Sequence, residues 1–159
     1  MGEIVARLEI SPSDWKNYAG KELGTSDWYE VTQDEINEYG KVVGDMQWIH
    51  VDPERAKKES PYGNTIAHGN WVLSIAYPKL FSQLYVSINT RMTINYGWNK
   101  VRFPAPTPVG KRIRLIGKVN HVKDIGKDAY DVEFDYKIYV EGESKPCFVA
   151  LKLSRFYSI

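Results

Sequence analysis

Residues 44–69 read GDMQWIHVDPERAKKESPYGNTIAHG. This stretch places a carboxylate and an imidazole, Asp45 and His50, five positions apart. It then passes through a cluster of turn-forming residues, 60–64, into a long apolar run. Its polarity, its turn residues and its prolines exclude a core segment. We therefore interpret it as a candidate acid/base site on a loop that leads into the start of a helix.

The apolar run after this stretch predicts the centre of the fold. From Gly69 to Leu84 the apolar residues leave almost no polar face, so a helix here must be enclosed by other structure. Pro78 should kink that helix or end its regular part, because proline lacks the amide donor of a helical hydrogen bond. The chain therefore predicts one buried central helix.

The C-terminal half predicts a sheet around this helix. Apolar residues alternate with polar ones in four segments: 91–96, 111–122, 130–140 and 147–156. The third segment shows the pattern most clearly, with these residues on one face: Tyr130, Val132, Phe134, Tyr136, Ile138 and Val140. Residues 124–128 and 141–144 are typical of hairpin connections. An antiparallel sheet with one solvated face, packed around a buried helix, is an α+β architecture.

Two helix start signals flank the acid/base pair. Thr32 followed by Glu35 is a capping box, in which hydroxyl and carboxylate each accept from a free amide of the first turn. The helix that follows should end at Gly44. Asp52 before Pro53 is a second start signal, with a capping carboxylate before a proline in the first helical position. The acid/base pair thus lies between two helix ends.

Composition limits the classes of function. The chain has 159 residues, which predicts a single domain over residues 1–159, and a net charge of +1, which argues against nucleic-acid binding. The single Cys147 excludes an internal disulfide, and no stretch reaches the length of a membrane span. No cluster has metal-ligand spacing, and no glycine-rich phosphate loop is present. We expect a cytoplasmic protein without contact to a membrane.

Three motifs identify a family resemblance. Residues 45–50 read DMQWIH, residues 66–69 read IAHG, and residues 95–106 read NYGWNKVRFPAP. The chain resembles the MaoC-like dehydratases, the (R)-specific enoyl-CoA hydratases called hydratase 2, and most of all their nodulation protein N branch. In that family Asp-x-Asn-x-x-His precedes a helix-opening Ala-His-Gly.

The resemblance implies a hot-dog fold, in which an antiparallel sheet wraps a long central helix, with residues 45–62 lying over the sheet as an overhang. It implies a homodimer. It also implies a thioester substrate, carried on coenzyme A or on acyl carrier protein, and no cofactor beyond that carrier. The implied reaction is hydration of a trans-2-enoyl thioester, or the reverse dehydration.

The resemblance also implies roles for the motif residues. His50 and Asp45 would grip one water molecule, with His50 as the base and Asp45 as the acid, although a coupled pair shares its protons and the division between them stays open. Gly69 would present its N–H to the thioester oxygen. Gln47 stands where most hydratases have Asn, and we expect it to position the water.

Further candidate residues would contact the substrate: His68, Trp71, Tyr77 and Arg102. His68 is also the residue most readily explained as structural, bonded to the overhang or to backbone. Tyr77 replaces a small hydroxyl residue of the bacterial hydratases, so it could donate a hydrogen bond or narrow the acyl pocket. Two other functions remain open at this stage, a hot-dog thioesterase and a non-catalytic acyl-thioester binding protein.

Overall fold

The computed structural model describes residues 7–159, and the first six residues of the predicted domain lie outside it. The strands are β1 (Leu8–Ile10), β2 (Glu22–Thr25), β3 (Tyr29–Glu30), β4 (Tyr85–Ser87), β5 (Thr90–Arg102), β6 (Arg112–Gly126), β7 (Ala129–Val140) and β8 (Phe148–Ser158). The helices are a 3-10 helix (Pro12–Tyr18), α1 (Gln33–Val43), α2 (Trp48–Val51), α3 (Pro53–Glu59), α4 (Gly69–Trp71) and α5 (Tyr77–Phe81). A π-helical segment, Val72–Ala76, joins α4 to α5, and we call residues 69–81 the central helix.

The main sheet is antiparallel and has the strand order β2-β6-β7-β8-β5, with β3 also paired to β6. The four predicted strands are confirmed, and each observed strand covers most or all of its predicted segment. The predicted connection 124–128 is shorter than expected because β6 continues to Gly126. The turn itself is formed by Lys127 and Asp128, both with positive φ (55° and 54°), as a tight hairpin turn requires.

The core lies between the inner face of the sheet and the central helix. The buried residues of β7 are Ala129, Val132, Phe134, Tyr136, Ile138 and Val140, and those of the central helix are Trp71, Val72, Ala76, Tyr77 and Leu80. The space between them is filled by rings, which we call the aromatic interior: Trp15, Tyr77, Phe81, Tyr85, Phe134, Tyr136, Phe148 and Phe156. A sheet wrapped around a central helix is the predicted hot-dog fold, of class α+β, and the prediction is confirmed.

The central helix differs from the prediction in its length and in the position of its irregularity. It ends at Phe81 rather than at Leu84, and its middle is π-helical. The N–H of Tyr77 donates to the carbonyl of Val72, five residues back, and Pro78 has no N–H to offer the carbonyl of Ser74. Pro78 therefore does not end the helix, and the irregularity lies in the turn before it.

The predicted helix ends are confirmed with one exception. Thr32 Oγ1 accepts from the N–H of Glu35 at 3.4 Å, and Gly44 ends α1 with a φ of 76°. Asp52 Oδ1 accepts from the N–H of Arg55 at 3.0 Å. The second half of the capping box is wrong, because the Glu35 carboxylate accepts from Lys79 Nζ at 2.6 Å. A charged donor forms a stronger bond than a backbone amide.

Candidate active site

His50 lies on the single turn of α2, and its ring orientation is set by a backbone carbonyl. Its Nδ1 is 2.7 Å from the carbonyl oxygen of Ile66. Because a carbonyl only accepts, Nδ1 carries the hydrogen, and the neutral ring has its lone pair on Nε2. Burial lowers the pKa of His50, and this effect outweighs the opposing bond to Ile66. His50 is therefore a neutral imidazole with a free basic nitrogen near pH 7.

His68 packs directly against His50. The two rings are stacked, with centroids 3.9 Å apart and planes at 27°. His68 is 3% exposed, and its Nε2 lies 2.9 Å from the carbonyl oxygen of Asp45, to which it donates. The prediction that His68 bonds to the backbone of the overhang is confirmed. One histidine thus supports both members of the candidate pair, His50 by stacking and Asp45 by a hydrogen bond.

Asp45 follows the end of α1, and a glycine allows its close approach. Its N–H donates to the carbonyl of Gly40 at 3.0 Å, and its half-exposed carboxylate has Oδ2 3.9 Å from His68 Nε2. A Cβ added to Gly40 would lie 2.8 Å from the Asp45 carbonyl oxygen. Gly40 was not predicted as part of the site. Its signal is a glycine inside a helix, where alanine is favoured by about 1 kcal/mol.

Asp45, His50 and His68 form a cluster of residue types that can bind a metal ion. One ligand atom from each lies within 4.8 Å of the others. However, the rings of His50 and His68 are stacked, so their in-plane lone pairs run side by side instead of converging on one point. The arrangement suits a hydrogen-bonded water better than a metal ion.

Two cavities meet at His50 and Gly69. The first has a volume of about 260 Å³, and its lining includes Tyr62, Phe103, Thr107 and Cys147. The second has a volume of about 270 Å³ and is lined by Tyr39, Val43, Asp45, His50, His68, Gly69 and Asn70. Residues 103–107 and Cys147 were not predicted to line the site, because they reach it only through the pairing of β5 with β8.

Gly69 forms part of the wall that separates the two cavities. A Cβ added to it would lie 3.1 Å from the ring of Phe103, so the site has no room for a larger residue here without movement of that ring. Among residues 7–159 no backbone carbonyl accepts the Gly69 N–H, which is the first amide of the central helix. A free amide at a helix start favours an oxygen with negative charge.

The structure does not bring every predicted residue to these cavities. Gln47 is exposed and lines neither of them. Trp71 is buried beside a separate hollow of about 410 Å³, and Tyr77 is buried in the aromatic interior. Arg102 is exposed, and its Nη1 donates to the carbonyl of Val101 at 2.7 Å. The roles assigned to these four residues remain predictions.

Comparison with known proteins gives the family. The model of the MaoC like domain matches residues 14–141. The chain belongs to the MaoC-like family. Among its relatives, 3-hydroxyacyl-thioester dehydratase Z of Mycobacterium tuberculosis is 44% identical over 146 residues, which are 92% of this chain and 95% of the relative. Nodulation protein N of Rhizobium meliloti is 36% identical over 142 residues, 89% of this chain and 88% of the relative.

Solved structures confirm the fold of this MaoC-like chain. The (R)-hydratase of A. caviae superimposes with a TM-score of 0.68 at 17% identity, covering 86% of this chain and 94% of the hydratase. A protein described as a monoamine oxidase regulatory protein, from Archaeoglobus, gives a TM-score of 0.77 at 22% identity, covering 96% of this chain and 99% of that protein.

Among residues 7–159, no helix of the MaoC-like chain combines the length and the apolarity that a membrane crossing needs.

Proposed function

We propose that this protein is an (R)-specific 2-enoyl-CoA hydratase that also catalyses the reverse reaction, dehydration of a 3-hydroxyacyl thioester. The observation that carries the proposal is the neutral His50, with its basic Nε2 free, next to Asp45 and to the open amide of Gly69. The name of the 44% identical relative, a 3-hydroxyacyl-thioester dehydratase, supports this reaction.

Each group has a defined task in hydration. His50 Nε2 accepts a proton from water as the water oxygen bonds to C3 of the enoyl group. Negative charge then develops on the thioester oxygen, where the Gly69 N–H and the positive end of the helix dipole stabilise it. Asp45 delivers a proton to C2, and the proton on His50 returns to the acid through solvent. Water has then been added across the double bond, and no redox cofactor is needed.

The carrier and the location in the cell are further parts of the proposal. The substrate is a thioester of coenzyme A or of acyl carrier protein, and that carrier is the only cofactor. We also propose a cytoplasmic location. In residues 7–159 no helix is long and apolar enough to cross a membrane, which is compatible with that location.

The proposal includes a homodimer formed through β5. Among residues 7–159 this strand pairs only with β8, so it is an edge of the described sheet, and its exposed residues include Met92, Ile94 and Tyr96, at 44%, 40% and 54% exposure. An edge of 13 residues with exposed apolar side chains is a ready template for pairing with a second copy. Sedimentation of the wild type should give a dimer, and Ile94→Lys should shift it towards the monomer.

The test of activity uses a short trans-2-enoyl-CoA. We expect loss of the ultraviolet absorbance of the conjugated thioester, an (R)-3-hydroxyacyl product by chiral analysis, and no free thiol. Thiol release at the same rate would instead identify a thioesterase. Constant absorbance with several chain lengths, on both coenzyme A and acyl carrier protein, would leave a non-catalytic binding role.

A further inference from the structure

Gln33, in the first turn of α1, is hydrogen-bonded through both polar atoms of its side chain. Its Nε2 donates to the carbonyl oxygen of His50 at 2.7 Å and to Asn37 Oδ1 at 2.9 Å. Its Oε1 accepts from the hydroxyl of Thr65 at 2.7 Å. The amide therefore links α1, the turn that carries His50, and the segment before the central helix.

Thr65 continues this network to the ring of His50. Thr65 is 0% exposed and precedes Ile66, whose carbonyl oxygen accepts from His50 Nδ1 at 2.7 Å. The N–H of Ile66 donates to the carbonyl of Ile49 at 3.1 Å. His50 is thus held at two ends, by its own carbonyl through Gln33 and by its imidazole through the residue next to Thr65.

The helical turn that carries His50 depends on such contacts. Helix α2 has four residues, none of them buried, and a single turn is not stable alone in water. A catalytic group needs its geometry fixed to within a fraction of an ångström, and a displacement of about 1 Å can reduce a rate by about 100-fold.

We propose that Gln33 and Thr65 are positioning residues for the hydratase reaction: they fix the location of His50 and keep its proton on Nδ1, so that Nε2 is free to act as the base. This inference rests on the proposed function. A purely structural tie would instead stabilise the overhang without affecting the tautomer, the ionisation or the chemical step of His50.

Paired substitutions separate these two roles. Gln33→Glu keeps the size of the side chain and the oxygen that accepts from Thr65, but it removes the donors and brings a negative charge to the His50 carbonyl. Thr65→Val keeps the shape and removes the hydroxyl, whereas Thr65→Ser retains it. The matched control is Gln83→Glu, since Gln83 also joins two segments, accepting from the N–H of Asp27 at 2.8 Å and donating to the Lys79 carbonyl at 3.3 Å, outside both cavities.

We expect Gln33→Glu and Thr65→Val to lower kcat by about 10- to 100-fold, with KM changed by less than about threefold. Thr65→Ser should recover most of the loss, and Gln83→Glu should match the wild type. In Gln33→Glu the acid limb of kcat/KM should move to higher pH, because a nearby negative charge favours the protonated imidazole. Reduced thermal stability with unchanged kcat, KM and acid limb would overturn the proposal.

A measurement without substrate tests the positioning role independently of the proposed function. In nitrogen-15 NMR spectra the wild-type His50 should show a protonated Nδ1 in a strong hydrogen bond and an unprotonated Nε2. This signature should be lost in Gln33→Glu and Thr65→Val and kept in Thr65→Ser and Gln83→Glu. An unchanged His50 signature in folded Gln33→Glu or Thr65→Val would overturn the positioning role, even if the protein acted on another substrate.

Discussion

The overhang and the aromatic interior are held by different forces. In the overhang the decisive contacts are hydrogen bonds to backbone carbonyls, from His50 to Ile66 and from His68 to Asp45. In the interior they are ring contacts, such as the stack of Phe134 on Tyr136 at 5.4 Å. A hydrogen bond adds about 0.5–1.5 kcal/mol to stability, whereas truncating a buried aromatic residue costs about 3–5 kcal/mol. The interior therefore supplies stability, and the overhang supplies geometry for chemistry.

The largest effect should come from the acid/base pair. Asp45→Asn and His50→Gln each remove one proton-transfer group, so we expect kcat to fall by about 10³-fold or more in the enoyl-CoA assay. The melting temperature should stay close to that of the wild type, because neither side chain belongs to the core. Wild-type turnover by either variant would disprove its catalytic assignment.

The opposite result is expected in the interior. Phe134→Ala removes a ring that is 0% exposed and should lower the free energy of unfolding by about 3–5 kcal/mol, measured by urea denaturation. The molecules that remain folded should keep a kcat near that of the wild type. A large loss of kcat in the folded fraction would break the separation between the two regions.

Gly40→Ala tests the point where α1 meets the overhang. The new methyl group would press on the Asp45 carbonyl and disturb the bond from His68, so we expect kcat to fall by about 10- to 100-fold. Glu38→Ala, at an exposed position of the same helix, is the control and should change neither kcat nor the melting temperature. Equal effects of both substitutions would show that helix stability, not the approach to Asp45, is responsible.

Lys152, which lies against rings of the aromatic interior, should make the stability of the protein depend on pH. Its ammonium lies 5.0 Å from the centre of the Phe81 ring, and burial lowers its pKa to about 8. The unfolded chain binds this proton up to about pH 10.5, so unfolding takes up a proton between these values and stability should rise with pH in that range. In Lys152→Met this rise, about 1–2 kcal/mol after allowance for partial exposure, should be absent from denaturation curves measured at pH 7 to 10.

The smallest effect is a shift of the pH profile. Because burial lowers the pKa of His50, kcat/KM should stay high below pH 6.5 or so and decline only when the base becomes protonated. A substitution at Ile66 cannot remove the backbone carbonyl that accepts from His50. The pH profile of the wild type should therefore be compared with that of Thr65→Val, in which the neighbouring residue is changed. A wild-type acid limb above the usual range of histidine would contradict a buried neutral base.

The sequence predicted the interior better than the overhang, for physical reasons. Alternation of apolar residues in strands reports burial directly, and this is why five of the six residues predicted for the inner face of β7 are buried. Tyr130 is the exception and is only half-buried. The overhang has no such period, because its residues are fixed by single hydrogen bonds to carbonyl groups. Asp45 and His50 were singled out as an acid/base pair by their residue types, but their roles and that of Gly69 came only from the family resemblance. The structure brings all three residues to the second cavity.

Other features could not have been predicted from local pattern. The bonds of Gln33 connect residues 17 and 32 positions away, and no local spacing encodes them. Gln47 was assigned by its place in the motif, but the start of α2 leaves it exposed. The π-helical segment departs from the helical period of 3.6 residues, and an apolar run with almost no polar face carries no period that could reveal such a departure.

That segment has a consequence for engineering the chain. Across it the buried positions recur after five residues, Trp71 to Ala76 and Val72 to Tyr77, and beyond it after four, Ala76 to Leu80. The central helix therefore behaves as an α-helix that carries one inserted residue. Deleting Ser74, which is exposed, would convert it to a regular helix with the same side chains facing the sheet. The extra residue therefore sets the distance along the chain between the catalytic end of the helix and the residues that pack in the aromatic interior.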